Sequence, residues 1–113
     1  MKITYASKNG RLTAEIEGKE QTDIFKQISS FQEVFEETKC GACQEESLRF
    51  VVRTVEDNEF FELHCLNTKC RARLAYGQHK KGGTLFPRRK GDDGKWLDRN
   101  GWLKWNPETK KDE

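Results

Sequence analysis

The first 18 residues alternate between apolar and polar positions on either side of an Asn9-Gly10 pair. Asn-Gly is a preferred centre for the two-residue type I′ turn that joins antiparallel strands. Pairing around this turn places Tyr5 opposite Ala14 and Ile3 opposite Ile16, so that the apolar residues share one face. Turn and alternation therefore agree on an N-terminal β-hairpin.

Residues 21–37 repeat their apolar positions with the period of an α-helix. Thr22 is a candidate N-cap, and Asp23 lies in the first turn, where a carboxylate is favoured. We expect this apolar stripe to pack in the core, and a helix that binds a partner is the alternative. The stripe comprises Ile24, Phe25, Ile28, Phe31, Val34 and Phe35.

Three further β segments surround the cysteines of the chain. Residues 48–55 and 60–64 are rich in β-forming side chains and are separated by a polar turn at 56–59. Residues 71–76 alternate again and place Arg71 and Arg73 on one face. The pattern predicts an α+β fold, in which the hairpin and one amphipathic helix pack on a three-stranded antiparallel sheet.

The four cysteines have the spacing of metal ligands. Cys40 and Cys43 form a C-x2-C pair, a gap of 21 residues follows, and Cys65 and Cys70 form a C-x4-C pair. Four thiolates suit tetrahedral zinc, and the predicted strand pair returns the chain so that the two cysteine pairs meet. A four-thiolate site is closed, so the pattern indicates a structural rather than a catalytic zinc ion.

Other interpretations of the cysteines remain open. Two disulfides or four unrelated free thiols are alternatives to zinc, and His64 and His79 are candidate replacements for Cys70 as the fourth ligand. His64 is the poorer replacement, because side chains of consecutive strand residues such as His64 and Cys65 point to opposite faces.

Residues 38–77 resemble the zinc-ribbon superfamily, which carries two metal-binding knuckles on a three-stranded antiparallel sheet. The x4 spacing of the second knuckle departs from the x2 that is usual there. We divide the chain into a hairpin and helix (1–38), a zinc ribbon (39–77) and a basic, tryptophan-rich C-terminal arm with a frayed tail (78–113), all within one compact domain.

The composition makes a stabilising metal more important. Of 113 residues, 35% are charged and only 34% belong to the apolar types, which leaves little material for a core. A bound zinc ion would compensate for that deficit. The chain has no apolar run long enough for a membrane helix, and its first residues lack the apolar core of a signal peptide. We therefore expect a cytoplasmic protein with reduced thiols.

The net charge of +2 conceals an uneven distribution. Residues 71–104 hold ten Lys or Arg against three Asp, a net of +7, whereas 1–39, 40–70 and 105–113 are each mildly acidic. Cations interleaved with aromatics are typical of surfaces that bind single-stranded nucleic acid. Trp105 adds to these aromatics, and Trp96 and Trp102 are equally candidates for packing. The candidate nucleic-acid-binding residues are Arg71, Arg73, Tyr76, Lys80, Lys81, Phe86, Arg88, Arg89, Lys90, Trp96 and Trp102.

The sequence contains no catalytic triad and no phosphate-binding loop. We predict a zinc-stabilised, non-enzymatic accessory protein that binds single-stranded nucleic acid, DNA in particular, with no membrane and no small-molecule partner. The mixture of basic, acidic and aromatic residues in the C-terminal segment is similar to that of small phage or mobile-element proteins of replication and recombination. This resemblance implies a partner from that machinery. The alternative is a protein-interaction adaptor, or a phage inhibitor of a host protein, that docks through its tryptophan-rich end.

Overall fold

The computed structural model describes residues 1–80 and 83–113. One α-helix and antiparallel strands make up this part of the chain, which confirms the α+β class. The elements are, in order, β1 (Lys2–Ala6), β2 (Thr13–Glu17), α1 (Gln21–Phe35), β3 (Leu48–Val55), β4 (Asn58–Cys65), β5 (Arg73–Gln78), β6 (Leu85–Pro87), a short 3-10 helix (Asp98–Gly101), β7 (Trp102–Leu103), β8 (Trp105–Asn106) and β9 (Lys111–Asp112).

The N-terminal hairpin has the predicted register but a different turn. Strands β1 and β2 pair with Tyr5 opposite Ala14, as expected. The prediction of a type I′ turn is wrong, because Gly10 alone of the central pair has a positive φ, and its N–H donates to the carbonyl of Ser7 at 2.9 Å. The Asn9 side chain explains the difference: its carboxamide oxygen accepts the Ser7 hydroxyl at 2.6 Å and the Arg11 N–H at 3.0 Å.

Helix α1 ends at Phe35 rather than at the predicted residue 37, and its first residue, Gln21, precedes the predicted N-cap, Thr22. Glu20, not Thr22, is the N-cap, and its backbone N–H donates to the Asp23 carboxylate at 3.3 Å. The helix ends at Phe35, where the next residue, Glu36, turns its carboxylate to accept the N–H of Lys8 at 3.0 Å.

The apolar stripe of α1 is buried as predicted at Ile24 and Val34, each 6% exposed. Ile28, Phe31 and Phe35 are partly buried, and Phe31 packs edge-to-face on Tyr5 of β1. Phe25 is 77% exposed, so its assignment to the core was wrong.

The central sheet contains more strands than the predicted three. Strands β3, β4, β5 and β6 are neighbours in that order, and β7 also pairs with β5. Strands β6 and β7 come from the segment that was predicted as a C-terminal arm, and residues 107–113, expected to fray, supply β9, which pairs with β8. The two residues between β3 and β4, Glu56 and Asp57, both have positive φ, as a type I′ turn requires.

The core lies between α1 and one face of this sheet. Leu63, Leu74 and Trp102 are almost completely buried there, and the Tyr76 hydroxyl donates to the carbonyl of Val34 at 3.0 Å. This bond ties β5 to the end of the helix. Within the part of the chain that the structure describes, no helix has the length and apolar character needed to cross a membrane.

Candidate metal centre and basic cleft

The four cysteine sulfurs form one compact cluster, with all Sγ atoms within 4.8 Å of one another. Cys40 and Cys70 are 3.8 Å apart, and Cys43 and Cys65 are 3.6 Å apart. Tetrahedral zinc with Zn–S bonds of about 2.3 Å would separate its sulfurs by about 3.8 Å, whereas a disulfide bond is about 2.05 Å long. The geometry is that of four ligands to one ion, and all four thiols are free.

The Cys40 sulfur accepts a hydrogen bond from the backbone N–H of Ala42, two residues further along the chain, at 3.3 Å. A donor aimed at sulfur stabilises the thiolate, which is the form that binds a metal ion. The backbone N–H groups of Glu45, Asn67 and Ala72 hold the same position after Cys43, Cys65 and Cys70, and each acts to lower the pKa of its cysteine. This arrangement favours thiolates.

The C-x4-C spacing of the second loop preserves the turn found in the first loop. In the first loop the N–H of Gln44 donates to the carbonyl of Cys40 at 2.9 Å, and in the second the N–H of Arg71 donates to the carbonyl of Asn67 at 3.0 Å. Gln44 and Arg71 both have positive φ. The equivalent turn thus starts at Asn67, and the extra residues extend the chain from β4 without displacing Cys70 from the cluster.

The thiols differ in their electrostatic surroundings. The backbone N–H of Glu45 lowers the pKa of the exposed Cys43 thiol to about 7. Burial raises the pKa of Cys65 to about 12, and burial also raises the pKa of Cys70. A buried thiolate is unfavourable without a nearby cation, so a metal ion is the natural counter-charge for this cluster.

Neither histidine belongs to the cluster. His64 lies on the opposite face of β4, as alternation predicted, with its Nε2 2.9 Å from a carboxylate oxygen of Glu62. His79 packs its ring on Phe86, with centroids 4.8 Å apart. Among the described residues, the metal-binding cluster consists of the four cysteines, Cys70 included.

A basic cleft lies on the face of the central sheet that points away from the core. Strand register places Arg49, His64 and Arg73 side by side on β3, β4 and β5. Arg71 and Trp105 complete the cationic and aromatic lining of this cleft, which has a volume of about 460 Å³. Trp105 is 58% exposed, so its ring is accessible.

A buried carboxylate organises the cations beneath this cleft. Glu62 accepts two hydrogen bonds of 3.1 Å from Arg53 and one of 2.9 Å involving His64. Burial tends to raise the pKa of Glu62, but these bonds outweigh it and hold the pKa below its usual value. Arg73 is paired with Asp112 of β9. Arg49 and Arg71 have no ion pair with any described residue, so they are the cations available to a ligand.

Other predicted nucleic-acid-binding residues lie in a second groove of mixed charge, with a volume of about 610 Å³. Glu33, Glu36 and Glu37 of the helix end line this groove, and Glu37 binds Arg89 at 2.8 Å. These carboxylates make the second groove less suited to phosphate than the basic cleft. The predicted residues found in it are Phe86, Arg88, Arg89, Lys90 and Trp96.

The remaining predicted residues do not form one surface with these. Tyr76 is 8% exposed and Trp102 is completely buried, so neither ring can stack on a base, and their assignment to a nucleic-acid-binding surface is corrected. Lys80 is exposed just after β5, and Lys81 lies outside the described residues. Arg71 precedes β5 with a positive φ, so it does not share a strand face with Arg73.

Sequence reasoning missed the contributions of β3 and β4 to the cleft. The signal was present, since the predicted strands 48–55 and 60–64 form a hairpin that places Arg49 beside His64. Arg53 and Glu62 follow on the same face.

Comparison with models of known protein families, with curated proteins and with solved structures finds no match to this chain.

Proposed function

We propose that this protein is a zinc-stabilised, non-enzymatic accessory protein that binds single-stranded nucleic acid, DNA in particular, in its basic cleft. The observation that carries the proposal is the row formed by Arg49, His64 and Arg73 across three strands, with Arg71 and the exposed Trp105 beside it. A role with the replication or recombination machinery in the cytoplasm is part of this proposal.

The chemistry of the cleft favours a single strand. Arg49 and Arg71 are free to contact phosphates and to release counterions. Trp105 offers an aromatic face to an unpaired base, a contact worth about 1–3 kcal/mol, whereas the faces of duplex bases are already stacked on one another. None of the described residues that line this cleft belongs to helix α1, so we expect binding to depend weakly on sequence.

Zinc has a structural role in this proposal. Four thiolates fill the tetrahedral shell and leave no position for a water molecule or a substrate. The first metal-binding loop also supports the core, because the α-carbon of Gly41 lies against the indole of Trp102: a Cβ at Gly41 would come within 2.4 Å of that ring. Metal analysis of the purified protein should find about one zinc ion per chain, and well under one would refute this part of the proposal.

The binding proposal is tested with a fluorescently labelled oligothymidylate and anisotropy over a series of salt concentrations. Arg49→Ala and Arg71→Ala should each lower the magnitude of the logarithmic salt slope by about 0.7, the value for one lost phosphate contact on a single strand. Trp105→Ala should weaken binding roughly fivefold to 150-fold through lost stacking. RNA of the same length and duplex DNA serve as competitors.

The matched control is Arg88→Ala, because Arg88 is an exposed cation in the second groove rather than in the basic cleft. We expect little change for this variant. Absence of binding at low salt, or a loss caused by Arg88→Ala but not by Arg71→Ala, would contradict the proposal.

A further inference from the structure

The outer edge of β3 is an open strand edge. Within residues 1–80 and 83–113, β3 pairs with β4 on one side and with no strand on the other. The two-residue turn makes Val55 and Asn58 a hydrogen-bonded pair, so alternate residues of β3 direct their backbone groups toward β4. The Leu66 N–H donates to the Ser47 carbonyl at 3.0 Å, which fits the same alternation, because Ser47 lies an even number of positions before Val55 along the strand.

It follows that the backbone N–H and C=O groups of Phe50, Val52 and Thr54 point outward from the sheet. The side chains of Phe50 and Val52 are 48% and 58% exposed along the same edge. Natural proteins usually protect such an edge with a proline, a bulge or a covering segment. Residues 48–55 contain no proline, and their pairing with β4 runs without a bulge.

The arginine side chains of β3 indicate which kind of strand could pair with this edge. Arg49 and Arg53 project from the face opposite to Phe50 and Val52. Two copies of β3 that pair antiparallel about Val51 would place each Arg49 opposite an Arg53, and pairing about Val52 would bring the two Arg53 side chains into diagonal contact. Because like charges across strands are destabilising, a second copy is disfavoured and an acidic strand is favoured.

We propose that the outer edge of β3 binds an extended segment of a partner protein in which acidic residues alternate with apolar ones. The segment adds an antiparallel strand to the sheet, and its backbone bonds to Phe50, Val52 and Thr54. Its acidic side chains lie beside Arg49, which has no ion pair with a described residue, and beside Arg53, which is paired with Glu62 and still 43% exposed. Its apolar side chains lie beside Phe50 and Val52. This site shares Arg49 with the basic cleft, but its backbone groups lie along the outer edge of β3, and peptide binding does not require bound nucleic acid.

The probe is a capped eight-residue peptide of alternating Glu and Val, added to the full-length, zinc-loaded protein labelled with ¹⁵N. Amide shifts and slower hydrogen exchange should be concentrated at Phe50, Val52 and Thr54. Two residues that pair directly across antiparallel strands have their side chains on the same face of the sheet. The apolar Val residues of the peptide therefore pair with Phe50 and Val52, and the Val N–H groups donate to the protein. Methylation of the Val amides should abolish binding, whereas methylation of the Glu amides should leave it within about threefold.

Val52→Pro tests the protein side, because it removes an outward N–H and leaves the hydrogen bonds to β4 intact. We expect at least tenfold weaker peptide binding than in the matched Val52→Ala variant, with oligonucleotide binding unchanged in both. If Val52→Pro fails to fold, the two methylated peptides on the unaltered protein decide the question.

Three results with the peptide would overturn this proposal, and a fourth comes from the oligomeric state. The three are no peptide binding at millimolar concentration, equal effects of the two methylation patterns, or shifts confined to the basic cleft. A concentration-dependent dimer that blocks the peptide, detected by sedimentation, would identify a second copy as the occupant and would also overturn it. Loss of oligonucleotide binding alone would refute the proposed function and leave the β3 site intact.

Discussion

Truncation of Trp102 should be among the most damaging single changes in this protein. The side chain is completely buried between the first metal-binding loop and β5, and its indole N–H lies 3.4 Å from the Glu37 carboxylate. Replacement by alanine removes the largest fully buried side chain among the described residues and leaves a cavity beside Gly41.

The cost follows from this burial. A buried tryptophan removes about 150–250 Å² from water, which at about 25 cal/mol per Å² corresponds to roughly 4–6 kcal/mol. Measured large-to-small substitutions of this kind cost about 3–5 kcal/mol. A domain of this length has a total unfolding free energy of roughly 6–17 kcal/mol, so Trp102→Ala should remove a large fraction of it.

The assay is urea denaturation of the zinc-loaded protein, followed by circular dichroism. Trp105→Ala is the matched control, since Trp105 is 58% exposed and should cost less than about 1 kcal/mol. Trp102→Phe is a milder variant, expected to cost about 1–3 kcal/mol, in case the alanine variant does not fold. Equal losses at Trp102 and Trp105, or a neutral Trp102→Phe, would refute the assignment of Trp102 to the core.

Three further predictions concern the metal centre, a buried phenol and the basic cleft. Cys70→Ser should lower the bound zinc measured by metal analysis, whereas His64→Ala should retain it; the opposite result would place histidine in the site. Because burial raises the pKa of Tyr76 to about 12, above the value of about 10 in the unfolded chain, the stability this phenol contributes is present below about pH 10 and is lost toward pH 12. Tyr76→Phe should therefore flatten the alkaline decline in unfolding free energy, and an unchanged decline would contradict the assignment. Asp112→Asn removes one of the two carboxylates paired with Arg73, the other being Glu62, and should tighten oligonucleotide binding roughly twofold to tenfold at low salt; weaker binding would argue against a phosphate site there.

The sequence predicted those parts of the fold whose determinants are local. The register of β1 and β2 follows from alternation and loop length, and β3 has the predicted bounds of 48–55. The cysteine cluster could be predicted because two short loops joined by one hairpin bring the sulfurs together whatever the rest of the chain does.

The remainder depends on contacts between distant segments. Strands β6 and β7 are only three and two residues long, and they form because both pair with the edge of β5 that faces away from β4. The charge run 88–90 is partly neutralised by Glu37 from the end of α1, a partner 52 positions from Arg89 in sequence. The net charge of +7 for residues 71–104 does not show that the cations of this segment lie on two different surfaces.

The close approach of Gly41 to Trp102 also has an evolutionary consequence. Any side chain at position 41 would occupy the space of the indole and come within 2.5 Å of the carbonyl of Arg99. Homologues that keep the tryptophan should therefore keep the glycine, and a larger residue at 41 would require both a smaller residue at 102 and a shift of the backbone at Arg99. A search pattern that couples a glycine after the first cysteine to a distant tryptophan would detect relatives whose overall similarity has been lost.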